Sequence, residues 1–317
     1  MRAILEATGA RELIRGPRLQ SLWSGYGELF RAQLVGGTRE RVVIKRVQPP
    51  TDRAHPRGWS TSLGHERKLR SYDVELSFYR DWAPRLGADA RVAECLAAAR
   101  DDDGWWFVLE DLDASGYHLR RTEASPEEVR ACLRWLARFH ARFMGDPPGS
   151  LWRVGTYWHL ATRSEELAAT RDPALREAAP HLDERLSDCR FPTVVHGDAK
   201  LANFCFTPEA QVAGVDFQYA GGGTGMKDVA YFLSSLRDVE AAEAEDAGHL
   251  ETYFLALREA LQARSAPVDV EAVEQEGRAL YPLAWADFFR FLAGWAPGHW
   301  KMNAYSRRMT ARALEQL

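Results

Sequence analysis

The sequence is short of the features that mark a membrane, secreted or nucleic-acid-binding protein. No apolar run approaches the roughly 18 residues of a bilayer span. The opening stretch, MRAILEATGARELIRG, has no continuous apolar segment of the kind a secretory leader carries. Cysteine is scarce: Cys95, Cys132, Cys189 and Cys205 show no Cys-x-x-Cys or other zinc-ligand spacing. That argues against a disulfide scaffold and fits reduced thiols in a cytoplasmic protein. A basic excess is missing too. Lys and Arg number 41 against 45 Asp and Glu, a net charge of −4, so neither nucleic acid nor a membrane is an expected partner. Repeats and low-complexity blocks do not occur, and nothing speaks to oligomeric state. What is present is ordinary globular composition, 46% apolar and 27% charged over 317 residues. That length can bury a large core and hold two lobes.

Patterning divides the chain. Residues 20–47 read as strand, turn, strand: Gly25 and Gly27 break the start, 30–35 is extended, Gly36-Gly37 turns, and Val42-Val43-Ile44 resumes. Residues 48–64, rich in Pro, Gly and polar side chains, predict a long loop. From about 65 to 82, Leu69, Tyr72, Leu76 and Tyr79 mark one helical face. Glu75 falls between Phe78 and Tyr79 on the wheel, where a carboxylate needs a cation or a hydrogen-bond donor. A strand over 105–109 runs into Glu110-Asp111. Ser125, Pro126 and Glu128 spell a capping box, and the following helix should bury Val129, Cys132, Leu133, Leu136, Phe139 and Phe143. Beyond Pro147-Pro148 the pattern is helical, apart from a β region over 193–216. The class is therefore α+β, with a small sheet lobe over 1–112 and a larger, mainly helical lobe over 113–317. The first holds 18 basic and 16 acidic residues, the second 23 and 29, which puts the acidic excess in the helical lobe.

The most informative stretch is VVHGDAKLANFCFTPEAQVAGVD, from Val194 to Asp216. A loop carries Asp198 and Asn203. A hairpin (204–206, a turn at Thr207-Pro208, then 212–215) should bring Asp216 back beside them. Two carboxylates and an amide oxygen form an all-oxygen set suited to Mg²⁺.

His196-Gly197-Asp198-Ala199-Lys200-Leu201-Ala202-Asn203 resembles the catalytic loop of the protein-kinase-like phosphotransferases, in the form typical of aminoglycoside phosphotransferases and choline kinases. Asp216-Phe217-Gln218, followed by glycines and Asp228-Val229-Ala230-Tyr231-Phe232, resembles the choline-kinase-like and ecdysteroid-kinase-like branch. The resemblance implies a bilobal kinase-like fold with an antiparallel-sheet N-lobe. It also implies an ATP- and Mg²⁺-dependent transfer of phosphate to a hydroxyl of a small-molecule acceptor. It implies Asp198 as catalytic base, Lys200 near the transferred phosphate, and Asn203 and Asp216 as metal ligands. Lys45 would contact the nucleotide phosphates, Glu75 would pair with it, and His196 would be scaffold. Gly25 and Gly27 fall in a degenerate Gly-rich loop, Ser24-Gly25-Tyr26-Gly27-Glu28, and Glu110 and Asp111 at the adenine-binding hinge. Gln218 departs from the kinase glycine. Eleven residues between Asp216 and Asp228 leave no room for a protein-kinase activation segment, which disfavours a protein substrate.

Two readings of other classes compete. One is a nucleotide- or ligand-binding module without turnover, against which the intact set of Lys45, Asp198, Asn203 and Asp216 stands. The other is a metal-dependent hydrolase using His196, Asp198 and Asp216, which leaves Lys45 and Glu75 unexplained. His140 reads as a satisfied helix histidine and Cys205 as a buried strand residue. The aromatics Trp152, Tyr157 and Trp158, and the series Trp285, Phe288, Phe289, Phe291, Trp295 and Trp300, read as core, with part of each free to line an acceptor pocket. An acidic, aromatic-lined pocket would suit an amine or polyhydroxylated ring, and an aromatic wall alone a sterol-like acceptor.

Overall fold

The computed structural model describes residues 2–22, 25–49, 62–236 and 239–317. After a short helix α1 (Arg2–Thr8), five strands form one antiparallel sheet in the order β1-β2-β3-β5-β4. They are β1 (Glu12–Ser21), β2 (Gly27–Val35), β3 (Arg41–Val47), β4 (Cys95–Asp101) and β5 (Gly104–Glu110). The two-residue period of β3 sorts its side chains. Val42 and Ile44 pack with Phe30, Leu34, Trp106 and Val108 on one face. Lys45 and Val47 turn to the other, where Lys45 lies opposite Phe107 of β5. Three elements were not foreseen from the sequence. α1 is one, and β1 and β4 are the others. β1 is an edge strand, exposed along most of its length and carrying Pro17, and β4 is largely alanine; neither shows the apolar alternation on which strand reading relies.

Helix α2 (Ser62–Ser77) begins before the predicted loop should end, and residues 50–61 of that loop lie outside the described residues. Its last turn widens into a π-type turn at Phe78–Trp82. Leu69 and Leu76 are only half-buried, whereas Ser71, Tyr72, Val74, Glu75, Phe78 and Tyr79 are buried. The buried face is rotated from the predicted stripe because the helix is covered on two sides. Tyr72 meets Trp105 of the sheet (ring centroids 5.6 Å), and Phe78 stacks on Phe217 of the helical part at 3.8 Å.

The second part follows the sequence pattern more closely. α3 (Pro126–Phe143) starts with both hydrogen bonds of the Ser125/Glu128 capping box and buries all six predicted side chains. α4 (Ser164–Ala169), α5 (Pro173–Ser187), α6 (Met226–Ser234), α7 (Val239–Ala263), α8 (Val270–Trp295) and α9 (Ala304–Leu314) make up the helical lobe. Between α5 and α6, β6 (Thr193–Val195) pairs with β9 (Gly221–Gly223), and β7 (Phe204–Phe206) with β8 (Val212–Gly214). The predicted β region therefore runs on to 223, through glycines of low strand propensity. The backbone of Trp152 comes so close that a Cβ on Gly221 would lie 2.3 Å from its carbonyl oxygen. The fold is thus a mixed one, an antiparallel sheet followed by a helical lobe. One hydrophobic cluster runs through both, from Val47, Tyr72 and Phe107 to Phe139, Phe217 and Tyr253. Among the described residues no helix is long and apolar enough to cross a membrane.

Candidate active site

Gly197 explains how the His196–Asp198 turn is made. Its φ is +78°, and a Cβ there would sit 2.0 Å from the Tyr219 carbonyl oxygen and 2.8 Å from the Thr156 nitrogen, so only glycine fits. The turn is pinned from below by Asp228, fully buried at the start of α6. Its carboxylate accepts from the N–H of His196 (2.5 Å) and of Gly197 (2.9 Å), and meets His140 Nε2 at 3.1 Å. His140 is held in turn by Tyr253 (2.9 Å). It is the satisfied helix histidine that the sequence suggests. His196 has both ring nitrogens engaged, Nε2 with the Val215 carbonyl (3.1 Å) and Nδ1 with the Asp198 N–H (3.3 Å). Neither is free to ligate a metal, which removes the basis of the hydrolase reading.

Above this base sit the oxygens. Asp198 is buried; its Oδ2 accepts from Lys200 Nζ (2.8 Å) and from Asn203 Nδ2 (3.0 Å), while Oδ1 is buried without a hydrogen-bond partner. Asn203 also donates to the Asp198 carbonyl (2.8 Å), so its amide oxygen remains an acceptor. The β7–β8 hairpin returns the chain, Val215 N–H donating to Asn203 O (3.0 Å), and Asp216 follows with φ +71°. A non-glycine residue in that region is strained and is found where function demands it. Asp216 Oδ1 is likewise buried and unpartnered. Burial raises this carboxyl, but Lys45, Lys200 and Lys68 outweigh it and hold the pKa below the usual value. Two orphaned carboxylate oxygens and an amide oxygen match the hard donors that Mg²⁺ takes from protein before phosphates complete its shell. Among the described residues, no three His, Cys, Asp or Glu side chains form a closed metal cage.

On the sheet side, Lys45 Nζ donates to both oxygens of Glu75, at 2.8 and 2.6 Å, with both side chains buried. The carboxylate on the apolar arc of α2 thus has its cation. Burial raises the Glu75 pKa against the pull of Lys45. Lys68, seven residues earlier on α2, was missed as a site residue. Its Nζ donates to Gln218 Oε1 (2.9 Å) and lies over the Tyr72 ring (4.8 Å). Burial lowers its pKa to about 8, and Asp216 is its strongest attraction. The seven-residue spacing from Glu75 was the available signal. Gln218, the departure from the kinase glycine, thereby straps α2 to the Asp216 segment, and Phe217 is locked between Phe78 and His196.

The remaining expected positions fall as follows. Gly25 has φ +74° and open space around it, while Gly27 pairs with Val47 so closely that a Cβ would lie 2.0 Å from the Arg46 carbonyl oxygen. Tyr26 between them points inward to His65 Nδ1 (2.6 Å); Ser24 lies outside the described residues. Glu110 pairs with Arg91 (2.6 Å) and its N–H is spent on the Glu94 carbonyl, while Asp111 pairs with Arg31 (3.1 Å). The side chains of both residues, and the Glu110 N–H, are thus engaged within the protein. Of the aromatic segments, Tyr157 packs beside the turn that carries Asp198. Tyr157 N–H donates to the Gly197 carbonyl (3.2 Å) and its ring meets Tyr231 (5.6 Å). Trp158, Phe288 and Phe291 pack behind Tyr231 as core, whereas Trp300 is 48% exposed.

The fold has known counterparts. A choline kinase from Cryptosporidium parvum superposes with TM-score 0.52 at 11% identity, covering 96% of this chain and 88% of that one. A candidate fructosamine-3-kinase from Thermobifida fusca gives 0.55 at 17% identity (100% and 98% covered). Amicoumacin kinase hAmiN, solved with AMP-PNP, Ca²⁺ and Ami, gives 0.51 at 14% (99% and 92%). At these identities the likeness is one of fold. No curated protein matches at the sequence level. The Phosphotransferase enzyme family matches residues 25–265, three quarters of the sequence, and the chain belongs to that family.

Proposed function

We propose that the protein transfers the γ-phosphate of ATP to a hydroxyl of a small molecule, with Mg²⁺, between a nucleotide-binding lobe over 1–112 and an acceptor-binding lobe over 113–317. The observation that carries this is the pair of buried, unpartnered oxygens on Asp198 and Asp216, beside Lys68, Lys200 and the Lys45–Glu75 pair. Unpaired buried acceptors cost stability, and a site that keeps them is arranged for something absent from the protein alone.

In this reading Lys45, positioned by Glu75, and Lys68 neutralise nucleotide phosphates. Asn203 and Asp216 would hold the metal, which supplies charge neutralisation on the phosphates when bound. Asp198 is the base. It turns Oδ1 to the acceptor hydroxyl and receives its proton, while Lys200 and Asn203 hold Oδ2. Lys200, 38% exposed at its side chain, can leave Asp198 for the transferred phosphate. The pKa of Lys200 is raised, since Asp198 and Asp216 outweigh the effect of burial, so it stays cationic at neutral pH.

The test is ADP release with Mg²⁺ over a panel of hydroxylated metabolites. Asp198→Asn is expected to lower kcat by about 10²–10⁴-fold with nucleotide affinity nearly unchanged. Near-normal kcat in that variant would remove Asp198 from the role. Tight AMP-PNP binding with transfer to no acceptor would favour the binding module without turnover.

A further inference from the structure

Lys301, between α8 and α9, is buried to 7% exposure. Among the described residues no carboxylate lies within ion-pair distance of it, and its one hydrogen bond is a long one to Ser234 Oγ, 3.4 Å. Its Nζ instead lies over ring faces, Tyr231 at 4.4 Å, Phe288 at 5.1 Å and Trp300 at 5.8 Å. Tyr231 in turn meets Tyr157 (5.6 Å), whose N–H donates to the Gly197 carbonyl, so Lys301 stands one ring layer from the Asp198 turn, and Asp198 attracts it while Lys200 repels it. Among the described residues a second cation, Arg67, also has no carboxylate within ion-pair distance. Arg67 of α2 donates to the Thr162 carbonyl (2.6 Å) and acts electrostatically on Tyr219, which acts on Asp198.

The carboxylates nearby are spent. Asp287 is taken by Arg290 (2.7 Å) and Trp158 (3.0 Å), Glu166 by Arg163 (2.9 Å), and Asp228 by the catalytic turn. Among the described residues, these three carboxylates of the helical lobe are therefore engaged within the protein. A buried ammonium with no counter-ion is costly. Burial lowers its pKa to about 7, the mark of that cost. A charge kept at such a place, walled by rings and open at Trp300, is the kind that an anionic ligand group completes.

We propose that the acceptor carries, besides its hydroxyl, an anionic group, a carboxylate or a phosphate ester, that pairs with Lys301, on an apolar or aromatic body lying along the exposed ring of Trp300. This deepens the phosphotransferase reading and rests on it. Lys301 touches the bound acceptor away from the reacting atoms, so it sets specificity.

The experiment measures calorimetric affinity of the full-length protein, with Mg²⁺ and AMP-PNP, for four ring-bearing probes: benzoate, phenyl phosphate, uncharged benzamide and cationic benzylamine. One of the two anions is expected to bind at least tenfold tighter than benzamide or benzylamine, and the tighter anion names the group. Lys301→Met should lose that preference and Lys301→Arg should keep it, AMP-PNP affinity serving as the folding control for both. A preference for benzylamine, no selectivity among the probes, or full anion preference in Lys301→Met would each overturn the proposal. If the wild-type chain does not bind AMP-PNP, it is the phosphotransferase reading that falls. If it binds AMP-PNP and shows no anion preference, only the acceptor inference does.

Discussion

Asp216 is strained, half-buried with its Oδ1 shut off from solvent, and surrounded by lysines, and these properties together argue for a role no other residue type fills. Asparagine has the same shape without the charge. Asp216→Asn is expected to lose most turnover, because the charge that would hold Mg²⁺ is gone, and higher Mg²⁺ should restore little. Steady-state ADP release across a Mg²⁺ titration checks this, and full activity would dismiss the assignment. Lys301 carries a different prediction. Its pKa falls from 10.5 to about 7 on folding. Between those values the unfolded chain binds the proton and the folded chain does not, so this group makes stability rise with pH. Below about 7 its full cost is felt. Asp198, Lys200, Ser234 and the rings of Tyr231, Phe288 and Trp300 are what act on it among the described residues, and the raised pKa of Lys200 keeps that neighbour cationic over the range tested. Lys301→Met should therefore raise the melting temperature more at pH 6 than at pH 9. Equal gains at both, or a loss at pH 6, would contradict the cause given.

At the scale of elements, the site depends on pairs that bridge secondary structures. The Lys45–Glu75 pair ties β3 to α2 in a buried setting, where removing one partner leaves an uncompensated charge. Glu75→Leu is expected to cost about 3–5 kcal/mol, and adding Lys45→Met should recover most of it while nucleotide binding stays weak. Urea unfolding of the two singles and the double decides the matter; simple additivity would show that the two groups do not act as a pair. Asp228 does the same work for α6 and the turn at 196–198. Asp228→Ala strands two backbone N–H groups and His140 Nε2, and should cost about 3 kcal/mol or more. A loss under 1 kcal/mol would mean that water replaces the carboxylate.

Over the whole molecule, one hydrophobic cluster joins the sheet to the helical lobe, and α2 reinforces it with Lys68–Gln218, Arg67–Thr162 and Arg70–Ser150 hydrogen bonds. Two lobes sharing a core should unfold together. A single calorimetric transition is expected, coincident with loss of near-UV dichroism. Phe217→Ala, which empties the stack between Phe78 and His196, should shift it as one transition by about 3–5 kcal/mol. Two separated transitions would show that the lobes are independent.

Some of this was local and so legible in the residues alone. The capping box at Ser125, the buried stripe of α3, the β2–β3 hairpin and the 204–216 hairpin each depend on side chains within a turn or two of one another. Periodicity and turn chemistry determine such features. The need of Glu75 for a cation was equally local, a carboxylate on an apolar arc. Edge strands β1 and β4 escaped, since an exposed or alanine-rich strand is made by its neighbour's hydrogen bonds rather than by its own pattern. The strand at 221–223 escaped because its glycines answer to the closeness of Trp152, almost seventy positions earlier. The sign of charge around Asp198 was decided by tertiary structure alone. Counting residues put an acidic excess in the helical lobe, but packing engages Asp287 with Arg290, Glu166 with Arg163 and Asp228 with backbone amides, and it buries Lys301 against aromatic rings. Composition gives a sum over a lobe; a ligand meets only the few charges that folding leaves without partners.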